Sequence, residues 1–88
     1  MSKSKMRIEA AAKEYGDELH SKFPFLDVKP IFDPFYGYDF TVDVLIPSDH
    51  EDAFDAVQLA TIELNWRLWD DEGIAATALV MEKEPVHG

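Results

Sequence analysis

Between positions 36 and 46 every even residue is apolar (Tyr36, Tyr38, Phe40, Val42, Val44 and Ile46), while the odd positions include Asp39, Thr41 and Asp43. Successive side chains on a strand point to opposite faces, so this alternation specifies a sheet with one dry and one wet face. Whatever else the chain builds must cover the dry face, because an uncovered apolar sheet face is not a stable end point.

The flanking segments can supply that cover. From Ser4 to Lys22, Ile8, Ala12, Tyr15 and Leu19 recur at helical spacing, with Phe23 just beyond, while Lys5, Glu9, Lys13, Glu14, Asp17 and Glu18 fall on the other side. That is an amphipathic helix. Lys13 and Asp17 can pair one turn apart, Gly16 weakens the interior by about 1 kcal/mol relative to alanine, and Pro24 ends the helix. Leu26, Val28 and Phe32 then alternate with Asp27, Lys29 and Asp33, as in a half-buried strand. Pro30 cannot donate to a ladder, which places this strand at an edge or in a bulge. Asp33-Pro34-Phe35-Tyr36-Gly37 reads as the turn of a hairpin, with the glycine free to take positive φ.

Pro47 closes the alternating strand, and Ser48-Asp49-His50-Glu51 has the form of a capping box opening a second helix, from Asp49 to about Asp71. Gly73 is placed to end that helix in the left-handed conformation, although Asp70, Asp71 and Glu72 oppose the helix dipole. Ile74 to Glu82 is a continuous apolar run, the pattern of a central strand or of one covered on both faces. The order predicts an α+β fold: a two-layer sandwich in α-β-β-α-β order, with a three-stranded mixed sheet and two helices on one face. The third strand could lie beside the first, in a split β-α-β arrangement, or beside the second. Residues 1–88 form a single domain in this reading, with residues 1–3 and 84–88 as frayed tails.

Composition narrows the function. At 88 residues the chain buries only about 60–65% of its unfolded surface, so its core is thin. With 47% hydrophobic residues it is too apolar for disorder, yet no run approaches the roughly 20 residues that span a bilayer. There is no cysteine, and no apolar segment follows the basic opening Met-Ser-Lys-Ser-Lys, so the cytoplasm is the expected compartment. The net charge of −10 disfavours nucleic acid, whose phosphates reward clustered Lys and Arg. The charge is also uneven: residues 1–29 hold six basic against five acidic side chains, and residues 30–88 two against thirteen, or +1 and −11. This acidity keeps a small protein dispersed, and it could equally dock a basic protein.

Chemistry is hard to place on these residues. Asp39 and Asp43 share a strand face but stand about 13 Å apart, too far to share a proton or a metal. Asp49, Glu51 and Asp52 are what the first turn of a helix prefers, and neither His20 nor His87 has a partner visible in the sequence. Nucleophile-elbow, phosphate-loop and zinc-helix motifs are all missing, so no catalytic, cofactor or metal site is expected and the chain reads as a non-enzyme.

One resemblance supplies an alternative. Thr41-Val42-Asp43-Val44-Leu45-Ile46, followed by a helix and an apolar strand, is loosely similar to the core of small nucleotidyltransferase domains, in which two carboxylates alternate on a strand to hold magnesium. The likeness covers about half the chain and implies that Asp43 takes one carboxylate position. Thr41 occupies the other, and no Gly-Ser pair precedes the strand, so the resemblance implies a degenerate, inactive relative.

The second helix carries the strongest functional signal. At 100° per residue, Ala53, Ala56, Val57, Ala60, Leu64 and Leu68 form one apolar stripe, whereas Leu59, Ile62, Trp66 and Trp69 form a second about half a turn away. One stripe seats a helix on a sheet. The second could complete the protein's own core if the first helix and the Asp33–Gly37 loop wrapped over it, but helices side by side on a sheet touch through flanks nearer 90°. The spacing therefore predicts an interface at Leu59, Ile62, Trp66 and Trp69, first for a homodimer and, as an alternative, for a basic protein held by an acidic inhibitor or antitoxin-type domain.

Overall fold

The computed structural model describes residues 4–32 and 37–82. Its elements are helix α1 (Lys5–Lys22), strand β1 (Asp27–Ile31), strand β2 (Phe40–Ile46), a 3₁₀ segment (Ser48–Ala53), helix α2 (Phe54–Glu72) and strand β3 (Ala76–Glu82). The sheet order is β1-β2-β3, with β1 antiparallel and β3 parallel to β2. Two helices pack on one face of a three-stranded mixed sheet, the expected α+β sandwich. The tails at 1–3 and 84–88 and turn residues 33–36 lie outside the described residues.

α1 starts where Ser4 Oγ accepts from the Arg7 N–H at 3.2 Å, and Lys13 reaches the Asp17 carboxylate at 3.0 Å on its wet side. Its dry side presents Ala11, Ala12, Tyr15 and Leu19, all buried. These meet Phe40, Val42, Val44 and Ile46 from the dry face of β2, and Val57, Ala60 and Leu64 from α2. The Tyr15 ring stands edge-on to Phe40, with centroids 6.0 Å apart. The even-numbered positions of β2 are thus the floor of the core, as the alternation requires. β1 lies at an edge with Pro30 in it, and Gly37 takes φ 81°.

Two expectations are corrected. The capping box at Ser48 and Glu51 does not form: Ser48–Ala53 is a 3₁₀ segment without a side-chain cap hydrogen bond, and the α-helix runs over Phe54–Glu72 instead of starting at Asp49. His50 sits at φ −124°, ψ 25°, outside helical geometry, with its ring stacked on Phe25 at 4.0 Å and its N–H donating to the Pro47 carbonyl at 2.9 Å. A ring contact from a segment 25 residues earlier holds the turn where the local capping pattern asks for an α-helix. The second correction concerns β3, which is neither central nor covered on both faces. It is the other edge of the sheet, and Leu79 on its uncovered side is 58% exposed.

The position of β3 has a visible cause. The Asp39 carboxylate accepts from the Ala75 N–H at 2.8 Å, and the Asp39 N–H donates to the Ala75 carbonyl at 2.7 Å. This two-point clamp ties the start of β3 to the start of β2. β1 already occupies the opposite side of β2 through the hairpin, so the crossover delivers β3 to the free side.

Candidate functional site

α2 is set by three surroundings: sheet below, α1 along one flank, and solvent elsewhere. Below, Val57, Ala60, Thr61 and Leu64 are buried, and the Thr61 hydroxyl is satisfied by the Gln58 carbonyl at 2.7 Å. Along the flank, the Tyr15 hydroxyl lies 2.7 Å from Asn65 Oδ1 and 3.2 Å from the Thr61 carbonyl, and Arg67 pairs with Glu18 at 3.0 Å. Burial pushes the Tyr15 hydroxyl well above its ordinary pKa, so it stays a neutral donor.

The helix end answers the acidic mismatch seen in the sequence. Gly73 takes φ 65° and donates its N–H to the Trp69 carbonyl at 3.0 Å, the αL termination expected of it. Arg7, from the first turn of α1, donates to the Glu72 carbonyl at 3.3 Å and lies 3.8 Å from the Glu72 carboxylate. The cation that this helix C-terminus lacks in its own sequence is thus brought from the other helix.

Neither the sheet nor α1 covers the second stripe. Leu59 is 59% exposed, Ile62 43%, Trp66 64% and Trp69 55%, and all four share the outward side of α2. Helical pitch explains why: with Val57 and Leu64 fixed on the sheet, residues two and five positions after Val57 point away from it. Asp55, Glu63 and Asp70 are exposed around them, and the nearest base, Arg67, is engaged by Glu18.

Other candidate chemistry is less organised. Asp43 lies across from Lys29 on β1 and Leu79 on β3, on the open face of the sheet. Thr41 and Asp43 do not make a carboxylate pair, and no group of three or more potential metal ligands occurs among the described residues. Asp39, the other carboxylate of that strand region, is engaged by the Ala75 N–H. His20 Nε2 donates to the Leu26 carbonyl at 2.9 Å and braces the turn after α1. A shallow groove between the helices is lined by Glu14, Glu18, Asp71 and Glu72 with Arg67, over Tyr15 and Leu64. The Glu18–Arg67 pair closes part of it.

The roles of Asp39, Arg7, His20 and Asn65 carry no sequence signal, since each depends on a partner distant in the chain or on a turn. The exposed Leu79 was concealed by the apolar run around it. Comparison with protein-family models, curated proteins and solved structures found no match.

Proposed function

We propose that this protein is a small acidic, cytoplasmic interaction domain without catalytic activity, and that it assembles as a homodimer through Leu59, Ile62, Trp66 and Trp69. The supporting observation is that these four large apolar side chains stand exposed together on one helix face. Contiguous exposed apolar patches mark association sites in small proteins, and indole rings are preferred anchors at the dry centres of interfaces. The 3-4-3 spacing lets two helices interdigitate around a twofold axis.

A second reading, a basic protein as partner, is favoured by the exposed acids Asp55, Glu63 and Asp70 around the same stripe. Salt separates the two. Copies that each carry a charge of −10 repel, so their dimer should tighten as salt screens them, whereas a complex with a basic partner should weaken. Light scattering on the purified protein across a concentration and salt series tests the dimer. Trp66→Lys should leave a folded monomer with an unchanged circular dichroism spectrum. Loss of fold in that variant would assign Trp66 to the core and remove the proposal.

A further inference from the structure

The outward stripe of α2 is symmetric in position. Leu59 and Trp69 stand five residues before and after Leu64, and Ile62 and Trp66 two before and after it. Helical pitch sets all four within about 40° of the direction opposite the buried side chain of Leu64. Their 3-4-3 spacing is that of a coiled-coil seam, and its next place toward the helix start, four residues before Leu59, is the exposed Asp55.

We infer that the two copies stack α2 on α2, back to back and antiparallel, about a twofold axis at the level of Leu64, with both sheets turned outward. The inference rests on the helix-mediated homodimer proposed above and gives it a direction, a register and an order of layers: sheet, helices, helices, sheet. The stripe lies on the side of α2 away from the sheet, so the approach that buries it places the second copy over the helix layer and leaves the sheet edges free.

Parallel and antiparallel helices both satisfy that stacking, and side-chain size separates them. Antiparallel, Leu59 comes level with Trp69 of the second copy and Ile62 with Trp66. Every layer then sets one indole against one aliphatic side chain, and the helix separation stays constant along the seam. Parallel, each residue meets its own mate: Leu59 and Ile62 make thin layers, Trp66 and Trp69 thick ones, and the helices wedge apart toward their C-termini.

Charge separates them in the same sense. α2 has Asp55 in its first turn, and Asp70, Asp71 and Glu72 at its end with no base in the last turn. Parallel helices set Asp55 on Asp55 across the seam, gather Asp70, Asp71 and Glu72 of both copies at one end, and align the two helix dipoles. Antiparallel helices bring Asp55 level with Gly73 of the second copy and hold the two Asp70 positions about 18 Å apart along the seam. Each Asp55 then lies about one turn from Asp70 of the other chain, a weaker repulsion than a carboxylate facing its own mate, and the dipoles oppose.

The absence of native cysteine gives a direct test. Gln58 and Asp70 are exposed, stand six residues before and after Leu64, and flank the stripe without filling it. Gln58→Cys and Asp70→Cys proteins, each shown by circular dichroism to be folded and by a monofunctional maleimide to be reactive, are treated with a short bismaleimide alone and after mixing to equilibrium. The mixture should yield a covalent dimer joining one chain of each kind, identified by its mass, whereas either protein alone should stay uncrosslinked because its two thiols are about 18 Å apart along the seam. Asp55→Cys should not oxidise to a disulfide dimer, its mates being about 27 Å apart. Lys29→Cys, on the open face of the sheet, should remain uncrosslinked throughout. Crosslinking of Gln58→Cys or Asp70→Cys with itself and not in the mixture, or a disulfide through Asp55→Cys, overturns the antiparallel register. So does a dimer that Trp66→Lys dissociates but that the mixed pair fails to crosslink, and in each of these cases the helix-mediated dimer stands. A wild-type monomer at all concentrations overturns both.

Discussion

The two helices lie on the same sheet face yet solve their outward sides differently. α1 turns Lys5, Glu9, Lys13 and Asp17 to water, with Lys13 and Asp17 paired at 3.0 Å. α2 turns two tryptophans, a leucine and an isoleucine the same way. Both are equally well seated underneath, so the fold of one chain does not require the outer stripe of α2. This exposed apolar face is the surface on which the proposed dimer rests.

The sharpest way to break this comparison is to truncate both sides of α2. Leu64→Ala, on the buried side, should cost about 2–4 kcal/mol in denaturant unfolding. Trp66→Ala, measured dilute enough that any dimer has dissociated, should change stability by no more than about 0.5 kcal/mol despite removing a larger side chain. Equal losses would erase the distinction between the two stripes.

A smaller effect tests the flank where the helices touch. Tyr15→Phe removes a hydroxyl from Asn65 and the Thr61 carbonyl and should cost about 1–2 kcal/mol by thermal or denaturant unfolding. Because burial raises the Tyr15 pKa above its ordinary 10.0, the neutral phenol favours the folded state. Its contribution is complete below pH 10 and is lost as the pH climbs further, so the gap between parent and variant should narrow in alkali.

On α1, a Cβ at Gly16 would meet only Val28 Cγ1, at 3.7 Å, an ordinary contact. Gly16→Ala should therefore stabilise by about 0.5–1 kcal/mol, read as a rise in Tm. Last, Arg7→Ala should cost about 0.5 kcal/mol by unbracing the end of α2, and the loss should shrink in high salt because the pair is largely exposed.

Much of this architecture was legible in the sequence because it is periodic. The alternation from Tyr38 to Ile46, the helical spacing of Ile8 to Leu19 and the double stripe of α2 each report a face, and a face needs only local geometry to be read. The turn at Ser48 departs from its local pattern because a capping box is a preference worth about 1 kcal/mol, and the Phe25 ring stacked on His50 comes from elsewhere in the chain. β3 departs from its pattern for the opposite reason. Its apolar run reports the burial the strand is suited to, whereas strand order is fixed by long-range pairing, here the hairpin on one side of β2 and the Asp39–Ala75 clamp on the other.

What the sequence determined by itself is which side of each element is apolar, since pitch and pleat follow from backbone geometry alone. Which apolar sides stay uncovered was decided only by the tertiary structure. Two helices and a three-stranded sheet share one interface, and once the inner stripe of α2 and the dry face of β2 have met, the second stripe and the outer edge of β3 have no partner left among the described residues.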